Sequence, residues 1–343
     1  MLENKQTIVI DNGSGTIKAG FSGEKMPHSV FRSIVGYKKY LTIDIKIHEK
    51  EKEFVKNWNE YENLLNYTYN AVLNVDPSEH SVLITEASMN PKTNREKLTQ
   101  LMFETFNVPS FFTCNQPVLS LYSSGRTTGI VLDSGFNVTQ IVPIFEGYSI
   151  SQGINRINLG GRDLTLWLQK KLKENGFNDN SEREKDIINE FKEENCYVAL
   201  DYENETQKKS KNYDDMKILY DERFHCPEML FRPSLYGYDF DGIDKALVDS
   251  IMKCDSNIHN ELYSNIILSG GNSMLNGLDK RIYKEISKLV NENVKIIAPP
   301  ERKYGAWSGG SILAASDSFK KMVITSDEYK ESGCSIVNQK CVL

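Results

Sequence analysis

Ile8-Val9-Ile10-Asp11-Asn12-Gly13-Ser14-Gly15 stands near the N-terminus, and Ile130-Val131-Leu132-Asp133-Ser134-Gly135 repeats its pattern far along the chain. Each is an apolar run that ends in Asp, one spacer and Gly. Such a run reads as a buried strand, and the Gly-rich break after it as a tight turn. Glycine lets the backbone approach a bound group closely and aim its N–H groups outward, which is how a turn grips phosphate oxygens. An Asp at the strand end adds a carboxylate able to hold a hydrated Mg²⁺ beside those oxygens. A single Asp-x-Gly turn often serves only to reverse the chain. Two of them, one in each half, suggest a duplicated fold closing on a nucleotide.

The chain has 343 residues, long for one core, so two domains or lobes are expected. Its 39% hydrophobic and 26% charged residues are ordinary for a globular protein. A formal net charge of -6 offers no basic footprint for nucleic acid or an anionic membrane, though it leaves a nuclear location open. Cys114, Cys196, Cys226, Cys254, Cys334 and Cys341 are scattered without a Cys-x-x-Cys pair. That spacing argues for reduced thiols rather than zinc or a disulfide framework. The first strand begins within a few residues of the N-terminus, so no signal peptide fits, and no apolar stretch is long enough to span a bilayer. The expectation is a cytoplasmic, cytoskeletal type of protein without membrane insertion or direct nucleic-acid contact.

Along the chain, residues 7–36 read as a strand meander, and Tyr37–Asn57 as a polar, charged connection. Ser81-Val82-Leu83-Ile84-Thr85-Glu86 reads as a strand. Thr93-Asn94-Arg95-Glu96 has a capping-box pattern and predicts a helix whose buried face carries Leu98, Leu101, Met102, Thr105 and Phe106. Leu164, Leu168 and Leu172 predict a helix that stops at Asn175-Gly176. Ser181-Glu182-Arg183-Glu184 predicts the start of another, and Asn204–Asp215 reads as a surface loop. A strand over Asn265–Leu268 breaks at Ser269-Gly270-Gly271 and leads into a helix carrying Leu278, Ile282, Ile286 and Leu289. Strands and helices alternate, so the class is α/β. The Ser269-Gly270-Gly271 turn and the Gly160-Gly161-Arg162-Asp163 helix start fit either ligand contact or plain helix packing. Lys18, just past the first Asp turn, fits either a phosphate contact or a solvated lysine.

A set of segments then narrows the reading. Asp11-Asn12-Gly13-Ser14-Gly15, Lys18-Ala19-Gly20-Phe21 and Ser33-Ile34-Val35-Gly36 resemble the opening of actin. So do Phe103-Glu104-Thr105-Phe106-Asn107, Ser124-Gly125-Arg126-Thr127-Thr128-Gly129 and Gly161-Arg162-Asp163-Leu164-Thr165. Cys196-Tyr197-Val198-Ala199-Leu200-Asp201, Ala298-Pro299-Pro300-Glu301-Arg302-Lys303-Tyr304 and Gly309-Gly310-Ser311-Ile312-Leu313-Ala314 extend the match in order over nearly the whole length. The chain is similar to the actin family.

The resemblance implies the two-lobed actin and sugar-kinase fold, an α/β architecture holding Mg-ATP in a cleft. It places one lobe at 1–115 with 305–343, its outer part shortened at about 37–57. The other lobe covers 116–304, with an outer part at about 162–245. It also implies ATP/ADP and Mg²⁺ as cofactors. Gly13, Ser14, Gly15 and Lys18 would bind phosphates from the first turn, and Ser134 and Gly135 from the second. Asp11 and Asp133 would hold Mg²⁺ through water. Gln116 matches the residue that orients the attacking water, and Gln140 stands where the family has His. Gly161, Lys192, Glu193, Gly270, Gly271 and Lys303 would lie around the nucleotide. Phosphoryl transfer is mostly positioning and charge neutralisation, so this inventory of cradle, metal and oriented water is coherent.

Departures qualify the expected activity. Phe136-Asn137 follows the second turn where the family has an acidic residue and Gly. Gln140 can hydrogen-bond but cannot usefully accept a proton. Asn189 replaces an Arg near the base, and Leu275 a Tyr. Nucleotide binding is expected, with weak hydrolysis. The stretch from Gly36 to Val55 is too short for the family's usual filament-docking loop, and a second shortening falls between Asp215 and Glu222. Pro233–Phe240 keeps the place of the plug that bridges filament strands. The expected function is an actin-like cytoskeletal protein with altered or lost self-polymerisation. Its partners would be actin-type filaments, other actin-family subunits and actin-binding proteins. The alternative is a non-polymerising subunit of a chromatin-remodelling or motor-adaptor assembly. A metabolic kinase or chaperone ATPase on the same fold lacks a candidate substrate base.

Overall fold

The structure, a computed structural model, describes residues 5–33, 35–37, 41–43, 55, 57–176, 184–207 and 221–342. The chain divides into two compact units. One comprises Met1–Val131, Ile144–Ser149 and Tyr304–Leu343, and the other Leu132–Pro143 and Ile150–Lys303. Each carries a mixed sheet with helices, as the α/β reading requires.

In the first unit the strands run β1 (Ile8–Asn12), β2 (Thr16–Phe21), β3 (Ser29–Arg32), β4 (Val35–Tyr37), β5 (Leu41–Ile43), β6 (Val82–Glu86) and β7 (Ser110–Asn115). β1 lies antiparallel to β2 and parallel to β6, and β6 is parallel to β7. β3 closes one edge on β2, and the short strand Ile324–Thr325 closes the other on β7. Central strands of such a sheet are covered on both faces and therefore read as unbroken apolar runs. Accordingly Ile8, Val9 and Ile10 of β1 and Val82, Leu83 and Ile84 of β6 are fully buried. Fully burying one such side chain stabilises the fold by about 1.5–3 kcal/mol.

Helix Gly305–Ala314 packs against helix Gln116–Ser123 through Gly309, where a Cβ would overlap the Leu119 carbonyl. On the same helix, fully buried Trp307 donates its indole N–H to the Val9 carbonyl at 3.0 Å. The helix is thereby keyed to β1 by a hydrogen bond and to its neighbour by the absence of a side chain.

Three local expectations in this unit need correction. The helix expected from Thr93 begins at Lys92 with Pro91 as its N-cap, and the capping box does not form. The Pro91 carbonyl itself accepts from Asn94 and Arg95 at 2.9 and 3.2 Å, so the helix is already under way where Thr93 would cap it. Thr105 is exposed and Phe103 buried, the reverse of the α-helical phase. Leu101–Thr105 is a π turn, with Phe106 N–H reaching the Leu101 carbonyl at 3.2 Å. The wider turn rotates the face and brings Phe103 onto Tyr329, with ring centroids 4.6 Å apart. Finally, the connection read over Tyr37–Asn57 includes β5, which pairs with β4 as a two-stranded hairpin. The remainder of that connection lies largely outside the described residues.

The second sheet follows the order β10-β9-β8-β12-β13, with β11 on β9. These strands are β8 (Gly129–Ser134), β9 (Thr139–Phe145), β10 (Tyr148–Ser149), β11 (Asn155–Ile157), β12 (Ile266–Ser269) and β13 (Ile296–Ile297). Helix Gly161–Glu174 buries Leu164, Leu168 and Leu172, and Asn175 caps it, with Gly176 left-handed beyond. Helix Leu278–Leu289 buries Leu278, Ile282 and Ile286, but Leu289 in its last turn is exposed. Asn204–Gln207 is not loop: it belongs to helix Tyr202–Gln207, which Asp201 starts by accepting the Asn204 N–H at 3.1 Å. The rest of that polar stretch, the Ser181–Arg183 cap and most of the shortening before Glu222 lie outside the described residues.

Candidate functional site

The first candidate centre is built by strand register. β1 and β2 pair so that Asp11 faces Lys18. Residues directly opposite in an antiparallel pair project to the same face. Lys18 Nζ consequently lies 3.0 Å from Asp11 Oδ2, with the two side chains 13% and 5% exposed. β6, on the other side of β1, brings Thr85, whose hydroxyl donates to Asp11 Oδ1 at 2.7 Å. Gln116 opens the helix directly after β7, and its Nε2 donates to the same oxygen at 2.9 Å. Gln116 Nε2 also lies 3.2 Å from Thr85 Oγ1 and 3.4 Å from the Asn12 carbonyl. One buried carboxylate on β1 is thus held from two neighbouring strands and a helix.

The turn itself is held by Ser33. Its hydroxyl donates to the Gly13 carbonyl, and its N–H to the Gly15 carbonyl at 3.2 Å. In a trans peptide the N–H points opposite to the preceding C=O. Fixing the Gly13 carbonyl on Ser33 therefore aims the Ser14 N–H away from Ser33. Among the described residues no acceptor takes that amide. Gly13, Ser14, Gly15 and Lys18 come together here, and Thr85 and Ser33 brace this turn although sequence reasoning missed them. Thr85 lies 74 positions from Asp11, and no local pattern connects them.

The second centre follows β8. Asp133 and Ser134 end the strand, and Gly135 N–H closes a turn on the Val138 carbonyl at 2.9 Å. Ser134 Oγ is tied to Thr139 Oγ1 at 2.9 Å and receives Asn272 Nδ2 at 3.0 Å. Gly161 and Arg162, at the start of helix Gly161–Glu174, donate their N–H groups to the Gly135 and Phe136 carbonyls at 3.0 and 2.8 Å. Gly161 is therefore a brace for the turn, its own amide already spent. With those two carbonyls facing the helix, the Phe136 N–H faces away from it. The Phe136 amide adds to the candidate contacts that the sequence limited to Ser134 and Gly135. The Phe136 side chain itself is exposed, and Asn137 is buried.

Gly270 follows β12 with a φ of 86°, and a Cβ there would overlap Asp133 Oδ1 and the Ser134 carbonyl. Only glycine lets this backbone rest against the Asp133 carboxylate. Gly271 faces open space. Lys192 is buried, and its ammonium is fully engaged inside the protein. Nζ donates to the Gly161 carbonyl at 2.9 Å, to Thr165 Oγ1 at 3.0 Å and to Asn189 Oδ1 at 2.9 Å. Burial pushes its pKa below the ordinary lysine value. Glu193 and Lys303 are exposed. Gln140 is buried on β9, paired in register with Arg156 of β11.

Among the described residues no cluster of three or more His, Cys, Asp or Glu side chains is present to ligate a metal directly. Asp11 agrees with that chemistry, since Oδ1 already accepts two donors and Oδ2 adjoins an ammonium. Such a carboxylate suits a hydrated cation reached through water, in keeping with the reluctance of Mg²⁺ to shed its waters. Among the described residues no helix is long and apolar enough to cross a membrane.

With two mixed sheets, paired Asp-ended strands and these turns in place, comparison with known families is specific. The sequence model of the family described as Actin matches residues 2–342, essentially the whole chain, and the chain belongs to the actin family.

Proposed function

We propose that this actin-family chain binds ATP or ADP with Mg²⁺ and acts as an actin-like cytoskeletal protein with weak hydrolysis and without ordinary self-polymerisation. The observation that carries the reading is the Asp11 centre. A buried carboxylate, a lysine at 3.0 Å and a Ser14 amide that no acceptor takes among the described residues stand together at one Gly-rich turn. Lys18, Ser14 and Gly15 would meet phosphate oxygens, as would the Phe136 amide at the second turn. Asp11 and Asp133 would hold the waters around Mg²⁺, and that ion would neutralise phosphate charge. Gln116, its Nε2 anchored on Asp11, leaves Oε1 to accept from a water and orient it. Gln140 adds a second neutral amide. Neither is a base, so positioning without proton acceptance accounts for slow hydrolysis.

Assembly depends on a few anchor contacts, and losing one can abolish it. The docking loop expected at about 37–57 is short in sequence. Leu235 at the plug position is 60% exposed, and the segment turns there through a short 3₁₀ stretch, Pro233–Tyr236, into left-handed Gly237. That exposure supports contact with actin-type filaments or other actin-family subunits, in a cytoplasmic, cytoskeletal setting. The test is high-speed pelleting of purified protein across concentrations, with and without Mg-ATP, alone and with preformed actin filaments. Co-pelleting with filaments and none alone is the expected result. A sharp critical concentration alone would overturn the loss of self-assembly, and no pelleting in any condition would favour a subunit of a non-filamentous complex.

A further inference from the structure

Thr85 reaches the Asp11 centre from a rigid mount. It is buried on β6, where Ile84 pairs with Ile10 of β1, so Thr85 comes level with Asp11. Its β-branched side chain has little freedom about χ1. The hydroxyl meets two donors and one acceptor: the Asn12 N–H at 3.0 Å, Gln116 Nε2 at 3.2 Å and Asp11 Oδ1 at 2.7 Å. A hydroxyl has one proton to give, and only the carboxylate oxygen can take it. The polarity of the contact is therefore fixed. Thr85 donates to Asp11 and accepts from the backbone amide of the next residue.

The two oxygens of Asp11 thereby differ. Each carboxylate oxygen offers about two lone pairs. Those of Oδ1 are taken by Thr85 and Gln116 Nε2. Oδ2 adjoins Lys18 Nζ at 3.0 Å, and among the described residues its second lone pair has no partner. An Asp carboxylate turns easily about its last torsion, whose preference is broad. Gln116 reaches it through a long unbranched side chain, whereas Thr85 reaches it from a stiff one and grips the Asn12 N–H as well.

We propose that Thr85 is a positioning residue that commits Asp11 Oδ1 to the protein and so reserves Oδ2 for Lys18 and a cation-bound water. The inference rests on the Mg-nucleotide reading above and adds the residue that decides how Asp11 is presented. Removing the hydroxyl frees a lone pair on Oδ1, lets the carboxylate rotate and leaves the Asn12 N–H without its acceptor. Loss of a group that orients a metal-facing carboxylate from behind typically changes metal affinity about 10–100-fold.

Isothermal titration of the full chain with ATP, once with Mg²⁺ and once with EDTA, tests this in wild type, Thr85→Ser and Thr85→Val. The quantity read is the factor by which Mg²⁺ tightens ATP binding. Thr85→Ser keeps the hydroxyl and should keep the wild-type factor. Thr85→Val keeps the shape without the hydroxyl, and its factor should fall about tenfold. Urea unfolding checks that each variant folds, and Thr85→Ala carries the same comparison if the valine variant does not. An undiminished factor in the hydroxyl-free variant overturns the proposal. An equal fall in Thr85→Ser overturns it too, because the effect would then come from packing. Failure of the wild type to bind ATP in either buffer would instead remove the nucleotide reading itself, and ATP binding that ignores Mg²⁺ would remove its metal part.

Discussion

Gln116 Nε2 lies 2.9 Å from Asp11 Oδ1, joining the residue that opens a helix to the carboxylate that ends β1. The amide is the neutral partner a buried carboxylate tolerates. Gln116→Glu would set a second carboxyl against the first, and like charges at that distance cannot both ionise freely. The introduced carboxyl would then have a folded-state pKa above its unfolded value. Such a group lowers stability as pH rises through the folded value and relieves the penalty as pH falls. The expected outcome is a loss of about 2 kcal/mol at pH 8 that shrinks at pH 5.5, measured by urea unfolding at both values. An equal loss at both would show that packing rather than charge sets the contact.

Asp11→Asn removes the counter-charge of Lys18, which is only 13% exposed. Stranding one partner of a largely buried pair costs about 3 kcal/mol. Nucleotide should also cease to stabilise the variant. For the parent protein, ligand at ~100 times its dissociation constant adds roughly 2.7 kcal/mol. Thermal unfolding with and without Mg-ATP reads both effects, and an unchanged parent melting temperature would contradict nucleotide binding. Asp133→Ala should reduce the nucleotide-dependent gain as well.

Lys192 gives a pH signature of the opposite sense. Its folded-state pKa is lowered by burial, with only partial compensation from neighbouring groups. Between that lowered value and the ordinary lysine value, the unfolded chain holds a proton that the native state has released. Stability should therefore rise with pH across that window on account of this group. Subtracting the pH profile of Lys192→Met from that of the wild type, between pH 7.5 and 10, isolates the contribution. A flat difference would mean that the hydrogen bonds to Gly161, Thr165 and Asn189 fully offset the burial.

Gly309→Ala tests the helix contact in the first unit. A methyl there has no room beside the Leu119 carbonyl, and neither helix backbone can yield without disturbing Trp307 and its bond to Val9. Overpacking of this kind costs at least about 1–3 kcal/mol, and more where the obstacle is backbone. Circular dichroism and denaturant unfolding should show a severely destabilised protein, whereas Gly125→Ala would be disfavoured only by its positive φ of 72°.

The strands bearing Asp11 and Asp133, the helix ending at Asn175-Gly176 and the α/β class were legible because periodicity and turn chemistry are local. Thr93 misled because a capping pattern says nothing of a Pro91 carbonyl already serving the helix. The exposure of Thr105 depended on a π turn, which shifts phase without a signature in residue type. At the candidate site, Asp11, Gln116 and Lys18 were named in advance, but Thr85, Ser33 and Asn272 were not.

By itself the sequence determined the family, the α/β class and which strands end in Asp and Gly, since these follow from residue order and short-range pattern. Only the tertiary structure decided which groups those residues meet. Lys18 found Asp11 through strand register, and Thr85 reached the same carboxylate from a neighbouring strand. Lys192 turned out to be consumed by Gly161, Thr165 and Asn189. A hydrogen bond depends on position within tenths of an ångström, and that position is set by the packing of segments remote in the chain.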